Sequence, residues 1–272
     1  MTALFYKMML IPLLAYASMA QSIENHGPEV EPAASTIKSY VYLEGAFDSE
    51  EGMMRNKLNQ LGYLPGMKPK TFFSKKTESG QPYKSFPWEY NGNEGIVKSN
   101  DYYSYDKKVV DWILVSIRET QHNNSTVFRA PAHVYVDGEI KIASVGAKCM
   151  LDPAKKYYIV IEHRNHLAVM SKKPVSIING SISYDFRYTE AYNEGHKEIG
   201  DGMYAMIAGN ANPKDTEPTV MSIDEDDLKS WEGGNGLNSS YFLQDVDLSG
   251  DVSVKDKEIL FNNMGLISMV PQ

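Results

Sequence analysis

Cysteine is almost absent. Cys149 is the only one in 272 residues, which excludes a disulfide framework and a multi-cysteine zinc site. A basic excess is missing too. Lys and Arg number 27 against 35 Asp and Glu, giving a formal net charge of -8, and this argues against a nucleic-acid-binding face. Beyond the first twenty residues no apolar run reaches the roughly 18 needed for a membrane helix. GxSxG, P-loop, GxGxxG and HExxH signatures are all missing, which removes the common hydrolase, nucleotide, dinucleotide and zinc-peptidase templates.

The chain does have enough material for a core. Hydrophobic residues make up 42% and charged residues 23%, a globular balance rather than a disordered one. Residues 1–20 read as a cleaved secretory signal: Lys7, an apolar stretch from Met8 to Tyr16, then Ser18-Met19-Ala20. The expected product is an exported protein, periplasmic, extracellular or outer-surface associated, with no membrane span in the mature chain. Residues 21–36, with Pro28 and Pro32, read as a flexible linker.

From residue 37 to about 200 the signals are those of strands. Val109–Arg118 reads as a central strand and Tyr157–His163 as another. Asp137-Gly138 and Asn179-Gly180 each sit between β-rich runs and predict hairpins. Met53–Leu61 predicts a turn or two of helix. Short strands with turn dipeptides and no alternating helices predict a mainly β fold, an antiparallel β-sandwich. A long irregular segment carries Phe72, Phe73, Tyr83, Phe86, Trp88 and Tyr90. These aromatics either cover a sandwich edge or stack on sugar rings. His163-Arg164-Asn165-His166 reads as a strand-to-loop corner, with Arg164 bonding carbonyls or a carboxylate.

The negative charge is concentrated at one end. Residues 205–272 carry twelve acidic and four basic residues, so the whole excess lies in the last quarter of the chain. Within it, residues 245–256 form a twelve-residue loop. Asp245, Asp247, Ser249, Ser253 and Asp256 place side-chain oxygens at the first, third, fifth, ninth and twelfth positions. Gly250 falls at the sixth, where the chain turns sharply, and Asp251 at the seventh offers its carbonyl. Alternation of this kind aims hard oxygen ligands at one centre, the arrangement Ca2+ requires. A helix is expected from Lys257 to about Asn263. The twelfth ligand is Asp rather than Glu, and Gly233–Ser240 breaks any helix ahead of the loop.

That loop–helix resembles a dockerin repeat, and dockerins carry two. A degraded copy opens with Gly209-Asn210-Ala211-Asn212 and closes with Ile223-Asp224-Glu225-Asp226-Asp227. The resemblance implies Asn210, Asn212, Asp224 and Asp227 as ligands, with Asp215 or Glu217 in the intervening insertion as further candidates. It aligns Asp227–Trp231 with Asp256–Leu260 and implies that Trp231 and Leu260 pack the two helices together. More widely, VYLEGAFDSEEGMMRNKL, VVDWILVSIR, YYIVIEHRNHLAVM, AMIAGNAN and FNNMG resemble exported Bacteroidetes proteins described as hemagglutinin-like. The expectation is a non-enzymatic calcium-binding protein. Its sandwich (37–200) carries an α-helical dockerin-like module (205–272) that docks a protein partner, cohesin-like, or packs on its own sandwich. Val254-Lys255 and Glu225-Asp226 differ from the Ser-Thr pair that cohesins commonly read. A surface glycan on the aromatic segment is the competing partner.

Overall fold

The computed structural model describes residues 31–70, 76–143, 148–212 and 221–272. The signal segment, most of the linker, Phe72, Phe73, Asp215 and Glu217 lie outside the described residues.

The body is built on two sheets. The larger holds β4 (Val109–Arg118), β5 (Thr126–Tyr135), β6 (Ile140–Ile142), β8 (Lys156–His163), β9 (His166–Met170) and β10 (Val175–Ser176). Its order is β10-β8-β4-β5-β6, with β9 on β8, and every pairing is antiparallel. The smaller sheet holds β1 (Ala33–Tyr40), β7 (Cys149–Leu151) and β11 (Ser181–Asp185) in the order β11-β1-β7. Two short ribbons complete the strands: β2 (Phe47–Asp48) with β3 (Met53–Met54), and β12 (Lys197–Gly200) with β13 (Met203–Ala205). The fold is mainly β, an antiparallel sandwich in which, among the described strands, β1 and β11 are the pair that runs parallel.

Strand β4 is central and wholly buried, as its continuous apolar run predicts. Ile113, Val115 and Ile117 share one core with Val41, Leu151 and Ile182 of the smaller sheet's chain segments. The segment after α1 (Lys57–Leu61) closes around Trp112. Tyr83 Oη donates to the Trp112 carbonyl at 2.8 Å, and Trp112 Nε1 donates to Tyr105 Oη at 2.7 Å. Among its described residues, Tyr83, Trp88 and Tyr105 are buried in the core against the sheet, while Phe86 stays exposed.

The sequence expectations fare differently from place to place. β1 begins at Ala33, inside the stretch expected as linker. The Asp137-Gly138 hairpin forms between β5 and β6. Asn179 and Gly180 do make a tight turn, at φ of 50° and 69°, and Ile178 bridges Ser181. The flanking strands then part, β10 to the larger sheet and β11 to the smaller, so this turn is a corner between sheets rather than a hairpin. Two helices follow in the acidic tail, α2 (Glu225–Gly234) and α3 (Val254–Asn262). Residues 31–272 fall in one compact unit.

Candidate metal centre

The loop of residues 245–256 is shaped by the start of α3. Ser253 caps the helix, accepting from Lys255 N, while Asp256 Oδ2 reaches back to Ser253 N at 2.7 Å. This reciprocal cap starts the helix at Val254, three residues before the position expected from sequence, and puts Asp256 in its first turn. Gly250 turns at φ +97°, and a Cβ there would lie 2.6 Å from the Tyr63 ring. Only glycine meets both demands.

Asp245, Asp247 and Asp256 converge. One carboxylate oxygen from each lies within 4.8 Å of the others, and all three residues are buried. Backbone amides hold them in place: Asp245 accepts from Ser249 N at 2.9 Å and Gly250 N at 2.8 Å, and Asp256 Oδ1 accepts from Asp247 N at 3.0 Å. Among the described residues no Lys or Arg forms an ion pair with any of the three. Burial, and then the neighbouring Asp247 and Asp256 charges, push the Asp245 carboxyl well above the usual range despite the opposing pull of Arg164. Burial and Asp247 raise Asp256 to about 6 against the backbone amides that favour its ionised form. Three crowded carboxylates in a dry loop are a site that a hard divalent cation would neutralise.

The remaining loop positions divide. Ser249 Oγ lies 3.4 Å from Asp245 Oδ1, beside the cluster. Asp251 is exposed and its side chain turns to Ser239 N, leaving its carbonyl as the group on the loop side. Ser253 is occupied as the helix cap.

The degraded copy repeats the scaffold with fewer charges. Asp227 Oδ1 accepts from Asn212 N at 2.7 Å and Oδ2 from Asp224 N at 2.9 Å, the same two bonds that Asp256 makes. Asp224 caps α2 as Ser253 caps α3. Asn210 is fully buried, and its Oδ1 accepts no hydrogen bond among the described residues. Among the described residues the three-carboxylate grouping of the later loop has no counterpart here.

The two copies interlock in a way sequence reading missed. Val252 N donates to Leu237 O at 2.8 Å and Gly236 N to Val252 O at 3.0 Å. Ile223 N donates to Leu266 O at 2.9 Å and Gly265 N to Ile223 O at 2.8 Å. Each loop's eighth residue thus pairs with the Gly-Leu that follows the other copy's helix. The signal was available: Gly236-Leu237 and Gly265-Leu266 keep the same 29-residue offset as Ile223 and Val252. Trp231 and Leu260 share a core, as the alignment implied.

The same core includes Leu167 and Ile207 of the body. Asn165 Nδ2 donates to the carbonyls of Leu243 and Asp245 at 3.0 and 2.8 Å. Arg164 donates from Nε to Asp111 Oδ2 at 3.0 Å and from Nη1 to the Phe242 carbonyl. Gly45 sits so close to the loop that a Cβ would meet Val246 O at 1.8 Å. The corner expected at His163–His166 is therefore also the clamp that seats the loop. Burial works to raise Asp111, but Arg164, His163 and Tyr241 hold it at about 2. Burial lowers both His163 and His166. Neither histidine belongs to a group of three metal-ligating side chains among the described residues.

Trp88 is 4% exposed and meets Tyr83 edge-on, so it is core cover and not a stacking platform for sugar. Among the described residues no helix is long and apolar enough to cross a membrane.

No family model matches this chain, and no curated protein matches it. Two solved structures show weak likeness, both type II cohesin–X-dockerin complexes from Acetivibrio cellulolyticus. An N-terminal interface mutant is 18% identical at a TM-score of 0.35, covering 57% of this chain and 82% of that one. A C-terminal interface mutant is 17% identical at 0.32, with the same coverage. At these scores neither marks a shared fold.

Proposed function

We propose that this chain is an exported, non-enzymatic calcium-binding protein whose dockerin-like tail is bound to its own β-sandwich. The observation that carries the reading is the buried trio of Asp245, Asp247 and Asp256, held apart by amides and paired with no Lys or Arg among the described residues. Asp245, Asp247, Asp256, Ser249 and the Asp251 carbonyl would hold the ion, which supplies charge neutralisation and rigidity to the loop. The internal partner is favoured by the Asn165 and Arg164 clamp on residues 242–245. The hemagglutinin-like resemblance fits a surface-associated role for such a unit.

Titration calorimetry with calcium on the purified chain tests this directly, with Asp245→Ala/Asp256→Ala as control. Saturable binding that the double variant loses supports the site. Absence of binding at millimolar calcium would leave the loop an acidic turn and end the reading.

A further inference from the structure

Glu44, Lys197 and Asn263 meet where the body joins α3, and each bonds both of the others. Lys197 Nζ donates to Asn263 Oδ1 at 2.7 Å and to Glu44 Oε1. Asn263 Nδ2 donates to Glu44 Oε2 at 2.7 Å. The backbone fixes two of the three. Ala208 N donates to Glu44 Oε2 at 2.9 Å, and Asn263 Nδ2 also donates to Ala208 O at 2.8 Å. Asn263 is fully buried and the Glu44 side chain is 14% exposed. An amine, a carboxamide and a shared carboxylate in one partly dry site have the composition of a self-condensing pair.

We propose that Lys197 and Asn263 join in an intramolecular isopeptide bond, with Glu44 as the catalytic residue. The distance permits it: with a C=O bond of about 1.2 Å, Nζ lies within about 4 Å of Asn263 Cγ. Holding the two groups at that range replaces a very unfavourable encounter with an intramolecular one. Glu44 takes a proton from the Lys197 ammonium. The freed Nζ lone pair attacks Cγ, and the carbonyl π pair moves onto Oδ1. As the carbonyl reforms, the Cγ–Nδ2 bond breaks with its electron pair on nitrogen. Glu44, already bonded to Nδ2, returns its proton there, and the second proton leaving Nζ follows the same route. Three ammonium and two amide hydrogens end as one on the new amide and four on departing ammonium, with Glu44 again a carboxylate. No oxidant, metal or other reactant is consumed. A cleft of about 210 Å³ lined by Lys197, Asn263, Ile207 and Leu266 gives the leaving group a way out.

The bond would tie β12 of the body to the C-terminal cap of α3. Intact mass measurement of the purified full chain, after prolonged incubation, tests it beside Glu44→Gln and Lys197→Arg. The wild type should be lighter by one ammonia than either variant once the substitution itself is subtracted. Its protease digest should yield a branched peptide joining Lys197 to Asn263. Linear peptides carrying an unmodified Lys197 and Asn263, at the full mass of the processed chain, would overturn the proposal and leave an ordinary ion pair. Because the wild-type digest decides the matter alone, a variant that fails to fold does not obscure the answer. Calcium binding plays no part in the readout, so the two readings fail separately.

Discussion

Asn165, at the turn between β8 and β9, donates its side-chain amide to the carbonyl of Asp245 at 2.8 Å. A body residue thus fixes the backbone of the loop's first acidic position. Asn165→Ala should leave the Leu243 and Asp245 carbonyls without their donor, at a cost of about 1–3 kcal/mol for each buried group. Urea unfolding followed by tryptophan fluorescence would read it, and calcium affinity should fall in parallel. An unchanged midpoint would mean that the clamp is incidental.

Arg164→Met should cost more. It strips Asp111 of a buried cationic partner, and breaking such a pair typically costs about 3–5 kcal/mol. Tyr241, whose hydroxyl donates to Asp111 at 2.6 Å and whose ring stacks under Arg164, should lose order with it. The double variant Arg164→Met/Asp111→Leu should recover part of the loss, measured in the same unfolding experiment.

Calcium should raise the melting temperature of the whole unit in one transition. At a hundredfold excess over Kd, binding adds about 2.7 kcal/mol, worth roughly 5–11 °C for a chain of this size. Differential scanning calorimetry with calcium and with chelator would show it. Two transitions, with only the smaller one moving, would mean that the tail melts independently of the sandwich.

His133 sets an acid limit. Burial holds its imidazole down at about 4 against a usual 6.5, with Asp111 pulling weakly the other way. Its folded pKa lies below its unfolded one, so the unfolded chain takes up the extra proton. The stability this contributes is present above pH 6.5 and is lost as pH falls from 6.5 to about 4. The expected loss is about 3 kcal/mol, and His133→Gln should flatten that part of the unfolding profile. Asp111, at about 2, adds a further loss only below pH 3.8.

Trp88→Ala should destabilise by about 3–5 kcal/mol through an unfilled core volume. It should do so whether or not sugars are present, as thermal melts with and without glycans would show.

Much of this was legible in the chain. The buried run of Val109–Arg118 and the Asp137-Gly138 turn announce themselves, because burial and twist constrain those residues locally. So does the meeting of Asp245, Asp247 and Asp256, since alternate positions in a tight loop aim their carboxylates at one point. What escaped was set by contacts distant in sequence. Asn179-Gly180 has hairpin chemistry, yet a parallel partner in β1 draws its second strand away. For the aromatic segment the sequence left edge cover and sugar stacking both open, and Trp88 fills space beside Tyr83. Glu44, Lys197 and Asn263 lie far apart along the chain, and no periodicity joins them.

The crossed pairing of Val252 with Leu237 and of Ile223 with Leu266 bears on engineering. Neither repeat is a portable cassette. A graft of residues 241–266 onto another scaffold would carry Ile223's acceptor without Ile223, and would arrive without the Gly45 hollow that Val246 O needs. Anyone wanting to move this acidic loop would have to transplant the molecule around it.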